Sequence, residues 1–221
     1  MKKLPTGSSC IDSLLSGGVE TGTITQIYGV SGSGKTSLCL MLTYNTVRRF
    51  GKAVYIDTEG LSPERVNQIF EDKSVLNDVY IYDVYDFKMQ SVAVREVAKL
   101  CEKEKGIVLI VVDSLTSLYR SELEDEEKQI KAKRELISQL TLLLGIARKH
   151  DLAVVFTNQM FTDVRNGMDK PLGGPSVDHL SKTIISLEKI NGKRIARLIK
   201  HRSKEEGAFC EFKITDRGIE P

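Results

Sequence analysis

Gly29, Val30, Ser31, Gly32, Ser33, Gly34, Lys35 and Thr36 match G-x-x-x-x-G-K-[ST] in full. The chemistry this spacing serves is phosphate binding. Its glycines let the backbone curl so that successive N–H groups point at phosphate oxygens. Lys35 can then reach the β- and γ-phosphates, and the Thr36 hydroxyl can hold Mg²⁺. Further polar residues stand where apolar runs end. Asp113 closes the run Ile107, Val108, Leu109, Ile110, Val111, Val112, which is how a central parallel strand delivers a carboxylate to Mg²⁺ in phosphate-loop NTPases. Asp57 and Glu59 follow Ala53, Val54, Tyr55 and Ile56, and Gln159 follows the run over 152–158. The carboxyl end of a parallel strand is the edge where ligands bind, so Gln159 could sense a γ-phosphate or orient water. A solvated loop acid at 59 and an ordinary strand cap at 159 fit the same pattern.

Such residues need strands that end together and helices that cover them. Residues 23–28 alternate with β-branched side chains and precede the loop. Residues 37–42 then open an apolar helix that runs to about Phe50 and stops at Gly51. The patterning predicts helices over 63–70, 89–104 and 126–150 and short strands over 53–57, 79–82 and 152–158. Val92, Val94, Val97, Ala98 and Cys101 supply the apolar face of the 89–104 helix. Ile130, Leu136, Ile137, Leu140, Leu143, Leu144 and Ala147 supply that of the 126–150 helix. Residues 4–22 read as a short capped lead-in helix ending at Gly17 and Gly18, and residues 160–176 as a mobile loop. Asn191-Gly192 is a type I′ turn signal joining strands over 181–187 and 195–199. Alternating strands and helices predict one α/β domain over 1–221, with a mostly parallel sheet flanked by helices and a C-terminal antiparallel β-hairpin extension.

Composition excludes more than it assigns. The 221 residues are 41% hydrophobic, enough for one core, and the net charge of +2 announces neither nucleic acid nor a membrane surface. Cys10, Cys39, Cys101 and Cys210 form no C-x-x-C pair, so the expectation is reduced, packed thiols without a disulfide framework or structural metal. There is no apolar leader and no run of membrane-spanning length, which points to a cytoplasmic protein. Charge placement is more informative. Lys193, Arg194, Arg197, Lys200, His201, Arg202 and Lys204 make the C-terminal hairpin the most basic part of the chain. Lys200, His201 and Arg202 are therefore the leading DNA-binding candidates, with Arg165 and Lys170 in the preceding loop as the other choice. A solvated edge strand guarded by lysines has the same composition.

Thr6-Gly7, Gly17-Gly18, the run 26–36, Tyr55-Ile56-Asp57-Thr58-Glu59-Gly60, Pro63-Glu64-Arg65, Val112-Asp113-Ser114, Thr157-Asn158-Gln159 and Leu172-Gly173-Gly174 occur in order along nearly the whole chain. Together they resemble the core of the RecA-type recombinases, and among these the short archaeal paralogues of RadA. The resemblance implies a RecA-like phosphate-loop NTPase core with a twisted sheet between helices. It implies ATP and Mg²⁺ as cofactors, with Glu59 polarising the attacking water, Arg65 packing on adenine, Asp113 supporting the metal and Gln159 coupling nucleotide to a DNA loop. Implied partners are single-stranded and branched DNA, a Holliday-junction resolvase and a RadA-type recombinase.

Departures from the family pattern shape the functional expectation. With 28 residues ahead of Gly29, no N-terminal helical DNA-binding domain and no filament-linking Phe-x-x-Ala segment are expected. Phe50-Gly51-Lys52-Ala53 has that spacing but falls across a helix end and a buried strand. After Arg120 the chain reads Ser121-Glu122-Leu123-Glu124-Asp125-Glu126-Glu127, acidic where a strand-exchange loop would neutralise phosphates. These features favour an ATP- and DNA-binding accessory protein of recombination and repair, with weak hydrolysis and little strand exchange of its own. The alternatives are a DNA-stimulated recombinase and a KaiC-like signalling ATPase. A Ras-like GTPase fits poorly, because no N-K-x-D segment is present.

Overall fold

The computed structural model describes residues 2–124, 126–162 and 169–221. A two-stranded ribbon of β1 (Lys3–Leu4) and β2 (Val19–Glu20) brackets α1 (Ser9–Leu14). Then β3 (Ile24–Gly29), α2 (Lys35–Arg49), β4 (Lys52–Asp57), α3 (Pro63–Ile69), β5 (Val79–Asp83), α4 (Phe87–Lys103) and β6 (Ile107–Asp113) alternate. They are followed by α5 (Ser117–Arg120), α6 (Glu126–His150), β7 (Ala153–Asn158), a ribbon of β8 (Met160–Thr162) and β9 (Asp169–Pro171), and α7 (Pro175–Leu180). The C-terminal part is β10 (Thr183–Ile190), β11 (Lys193–Lys200), β12 (Phe209–Thr215) and β13 (Gly218–Glu220).

These strands form a nine-stranded sheet in the order β13-β12-β11-β10-β3-β7-β6-β4-β5. From β10 to β5 every neighbouring pair is parallel, and from β10 to β13 every pair is antiparallel. A parallel strand sandwiched between helix layers must be apolar on both faces. That is why Leu109, Ile110, Val111 and Val112 of β6 are all fully buried. One core lies under α1 and α2, including Ile11, Leu38 and Leu42, and the other under α4 and α6, including Val94, Val97, Leu136 and Leu143. Because β3, β4, β6 and β7 run the same way, Gly29, Asp57, Asp113 and Asn158 all reach one edge of the sheet.

Local chemistry sets the element ends. Ser62 caps α3 by accepting the Arg65 N–H at 3.3 Å, with Pro63 in the first turn. Asp86 caps α4 by accepting the Met89 N–H at 2.7 Å. Asn191 and Gly192 take φ of 50° and 78°, as a type I′ hairpin requires. The antiparallel extension goes beyond the expected hairpin, continuing through β12 and β13. Cys210, Phe212 and Ile214 turn inward there, while Phe209, Glu211 and Lys213 turn outward.

Several expectations are corrected. Residues 160–176 contain the β8–β9 ribbon and the start of α7 rather than a featureless loop, and Arg165 lies outside the described residues. Val92 and Ile130 are 44% and 56% exposed. The contact between α4 and α6 also holds a buried polar group within its apolar core, with the Gln90 side chain donating to Gln139 Oε1 at 2.8 Å and Gln139 donating to Ser91 at 2.8 Å. Apolar periodicity alone cannot reveal that contact. Cys10 and Cys210 form a disulfide, contrary to the expectation of free thiols. Packing of α1 on β12 brings their Cα atoms to 5.9 Å across 200 residues of sequence. Cys39 and Cys101 are buried free thiols. Among the described residues no helix is long and apolar enough to cross a membrane.

Candidate functional site

The link between β3 and α2 is built for close approach to a ligand. A Cβ at Gly29 would collide with the Leu187 carbonyl of β10, and Gly32 and Gly34 hold φ of +66° and +110°, where L side chains are strained. The loop therefore lies tight against the sheet and turns directly into α2, whose N-terminal residue is Lys35. The Lys35 ammonium is held over the loop by the carbonyls of Gly29 at 2.9 Å and Val30 at 3.1 Å. Burial pushes its pKa down, while the carboxylates of Glu59 and Asp113 oppose that shift. The buried Ser33 hydroxyl has no hydrogen-bond partner among the described residues. The N-terminus of α2 adds the positive end of its dipole to the same spot.

The carboxylates divide their work. Asp57 accepts the backbone N–H groups of Glu59 at 3.1 Å, Gly60 at 3.0 Å and Leu61 at 2.5 Å. It is consumed in folding the turn that presents Glu59, whose exposed carboxylate accepts from Gln159 Nε2 at 2.9 Å. Asp113 is 1% exposed. Its oxygens accept the Tyr55 hydroxyl at 2.8 Å and the Thr157 hydroxyl at 2.5 Å, and the Thr36 hydroxyl also bonds to it. Burial pushes the Asp113 pKa up, and these hydroxyls pull it back. An ionised carboxylate at this depth is tolerated only with such partners.

Lys35, Thr36, Glu59 and Gln159 line one cavity of about 540 Å³, together with Val30, Arg120, Met160 and Ile214. That size suits a bound cofactor. Thr36 and Asp113 are the pair on which a magnesium ion could be held, the remaining ligands being phosphates and water. Arg65 stands beside the cavity rather than in its wall. Its guanidinium donates to Ser37 Oγ at 3.0 and 3.2 Å and to the Thr215 carbonyl at 2.8 Å, tying α3 and α2 to the end of β12. A second cavity of about 810 Å³ adjoins the first and shares Arg120 and Met160 with it. Lys133, Phe161, Lys170, Gly173 and Gly174 are among its other lining residues.

The basic hairpin is placed differently. Lys200 pairs in register with Ile184 near the start of β10, so Lys200, His201 and Arg202 lie at the amino ends of the parallel strands, across the sheet from Lys35. Their groups turn inward. Lys200 donates to the Asp178 carbonyl at 2.7 Å, and Arg202 pairs with the buried Glu20 at 2.8 Å. Lys193 pairs with Glu211 at 3.0 Å, and Arg197 pairs with Glu188 at 3.1 Å. His201 is 7% exposed, its Nδ1 accepts the Ser203 N–H, and burial pushes its pKa down. The hairpin is thus not the open cationic surface that the sequence suggests, and His201 is a packed, neutral residue. Sequence reasoning missed the roles of Tyr55, Thr157 and Arg120. The first two carried no signal beyond their places on strands that end at the cavity, and Arg120 carried none beyond its position seven residues after Asp113.

Comparison with known proteins agrees with this geometry. A family model described as Rad51 matches residues 1–221. The chain is similar to the DNA repair and recombination protein RadB of Archaeoglobus fulgidus, with 65% identity over 99% of this chain and 98% of that protein. It is likewise similar to RadB of Methanococcoides burtonii, with 46% identity covering 96% of each. A crystal structure of the RadB recombinase superposes with a TM-score of 0.82 at 38% identity, covering 98% of both chains.

Proposed function

The chain belongs to the Rad51 family, and from that premise we propose that it is an ATP-binding DNA repair and recombination protein that acts as an accessory factor, hydrolysing ATP slowly and exchanging little DNA itself. The observation that carries this reading is the cavity in which Lys35, Thr36, Glu59 and Gln159 converge. Similarity to RadB proteins along nearly the full chain supports it and favours it over a KaiC-like signalling ATPase.

In this reading the N–H groups of Gly32 to Thr36 and the Lys35 ammonium bind the phosphates, and Arg65 flanks the base. Thr36 and Asp113 hold Mg²⁺, which when bound neutralises charge on the β- and γ-phosphates. Glu59 accepts a proton from the attacking water, and its bond to Gln159 positions it and carries the nucleotide state toward β8. DNA phosphates are contacted from Lys170 at the second cavity, from Arg165, which lies outside the described residues, and from the exposed parts of Lys200 and Arg202. A Holliday-junction resolvase and a RadA-type recombinase are the partner classes. The second reading, a DNA-stimulated recombinase, is favoured by the shared wall of the two cavities. Against it stands the acidic segment after Arg120, whose Glu127 is exposed.

ATP turnover measured alone, with single-stranded DNA and with branched DNA separates the two. The accessory reading expects turnover below the ~1 s⁻¹ low end of ordinary enzymes in all three, with no strand exchange. Strong stimulation accompanied by strand exchange would establish the recombinase reading instead.

A further inference from the structure

Arg120 is the one cation of the nucleotide cavity, among the described residues, whose side chain makes no hydrogen bond or ion pair. Lys35 is held by two carbonyls and Lys189 beside the loop by the Ser31 carbonyl at 2.9 Å. Arg120 lines the cavity wall together with Glu59 and Gln159, and the same side chain lines the second cavity. A guanidinium stays charged at any physiological pH and presents donors in a planar fork suited to a phosphate.

Its position is fixed by what surrounds it. The segment from Ser114 to Arg120 is pinned on one side to the turn bearing Glu59. There the Ser114 N–H donates to Thr58 Oγ1 at 2.8 Å, Thr58 Oγ1 donates to the Ser114 carbonyl at 2.8 Å, and the hydroxyls of Thr58 and Ser117 lie 2.6 Å apart. On the other side Thr116 Oγ1 donates to Asn158 Oδ1 at 2.7 Å and accepts the Gln159 N–H at 3.1 Å. Tyr119, the preceding residue, is buried against Phe87 with ring centroids 5.8 Å apart. Arg120 thus sits at the end of a short, anchored segment whose anchors are the residues flanking Glu59 and Gln159.

We propose that Arg120 reads the terminal phosphate of ATP from within the same chain, and that through its place between the two cavities it reports triphosphate or diphosphate to the ligand of the second. This rests on the ATP-binding reading above. A planar cation on the wall shared with Glu59 and Gln159 has work to do at a γ-phosphate and none at an α- or β-phosphate cradled by Gly32 to Thr36. Binding of ADP should therefore ignore it.

The test is calorimetric titration of the full chain with Mg²⁺ and either ADP or a non-hydrolysable ATP analogue, for wild type, Arg120→Ala, Arg120→Lys and Lys35→Ala. The exposed position of Arg120 lets the variants fold, which thermal melts verify. Loss of a charge-assisted phosphate contact should weaken the triphosphate analogue on the order of tenfold or more in Arg120→Ala, with partial recovery in Arg120→Lys. ADP affinity should stay within about twofold. Lys35→Ala should weaken both nucleotides. If Arg120→Ala weakens ADP and the triphosphate equally, or alters neither, or reduces only DNA affinity, the assignment is overturned. If wild type binds neither nucleotide, the ATP-binding reading itself fails.

Discussion

At the carboxyl ends of the parallel strands Lys35, Glu59 and Arg120 face a cavity, whereas at the amino ends Lys200, His201 and Arg202 face their own chain. Both regions are rich in functional-looking side chains. They differ in what fixes those side chains. Around the cavity, position comes from backbone: the glycines of the loop, the turn folded by Asp57 and the strand end at Asp113. In the hairpin, position comes from distant partners such as Glu20 and Asp178. A motif that shapes backbone keeps its chemistry free for a ligand. A cluster of charges in a strand is neutralised by whatever the fold brings beside it.

The sharpest way to break this contrast is at Glu59. Glu59→Gln should leave nucleotide affinity unchanged and lower single-turnover ATP hydrolysis by about 10², the usual range for a positioned acid or base. Wild-type chemistry in that variant would move the role away from the cavity.

The same contrast explains what was legible before the structure. Gly29 to Thr36, Glu59, Asp113 and Gln159 could be read because strand, loop and helix follow one another locally and the phosphate loop fixes what strand-end acids are for. The burial of His201 could not be read, since Glu20, 181 residues earlier, reaches it only through the folded sheet. Nor could the disulfide, whose cysteines are 200 residues apart in sequence. The strands β12 and β13 are a different case. The alternation of Phe209, Cys210, Glu211, Phe212 and Lys213 is a period-two strand signal legible in the sequence itself. Val92 and Ile130 face solvent while the buried stripes of α4 and α6 carry Gln90, Ser91 and Gln139, which hydrophobic patterning counts as surface.

The disulfide gives the next largest effect, because it ties α1 to β12 and so holds the extension whose Ile214 reaches the cavity. Cys10→Ser with Cys210→Ser should lower unfolding free energy by about 2–4 kcal/mol in non-reducing urea titrations. Wild type in a dithiol reductant should match the variant. Equal stability of all three would mean that the packing of α1 alone holds the extension in place.

Asp113 sharpens the contrast through pH. Burial raises its pKa in the folded state, so its ionised form costs stability above the folded value, and that cost disappears below the ordinary carboxylate range of the unfolded chain. Asp113→Asn should therefore raise the melting temperature of nucleotide-free protein at neutral pH, with the gain fading as pH falls into the acid range. It should also abolish the added stability that Mg²⁺ gives in the presence of ATP. A gain independent of pH would trace to packing instead.

The smallest effect is expected from the hairpin. Since Lys200 and Arg202 already have partners in the chain, Lys200→Ala with Arg202→Ala should flatten the salt dependence of single-strand binding by no more than about one unit of slope. A drop of about two units from the hairpin pair would show that both side chains leave their internal partners to bind phosphate.

The central claim is that the cavity at Lys35 controls what the protein does with DNA. It is tested most directly by fluorescence anisotropy of a labelled single strand, titrated with the full chain at fixed salt in Mg²⁺ with ATP, with ADP and without nucleotide. Wild type should bind more tightly with ATP than with ADP, and Lys35→Ala should show no difference between the three conditions. Identical wild-type curves in all three would contradict it.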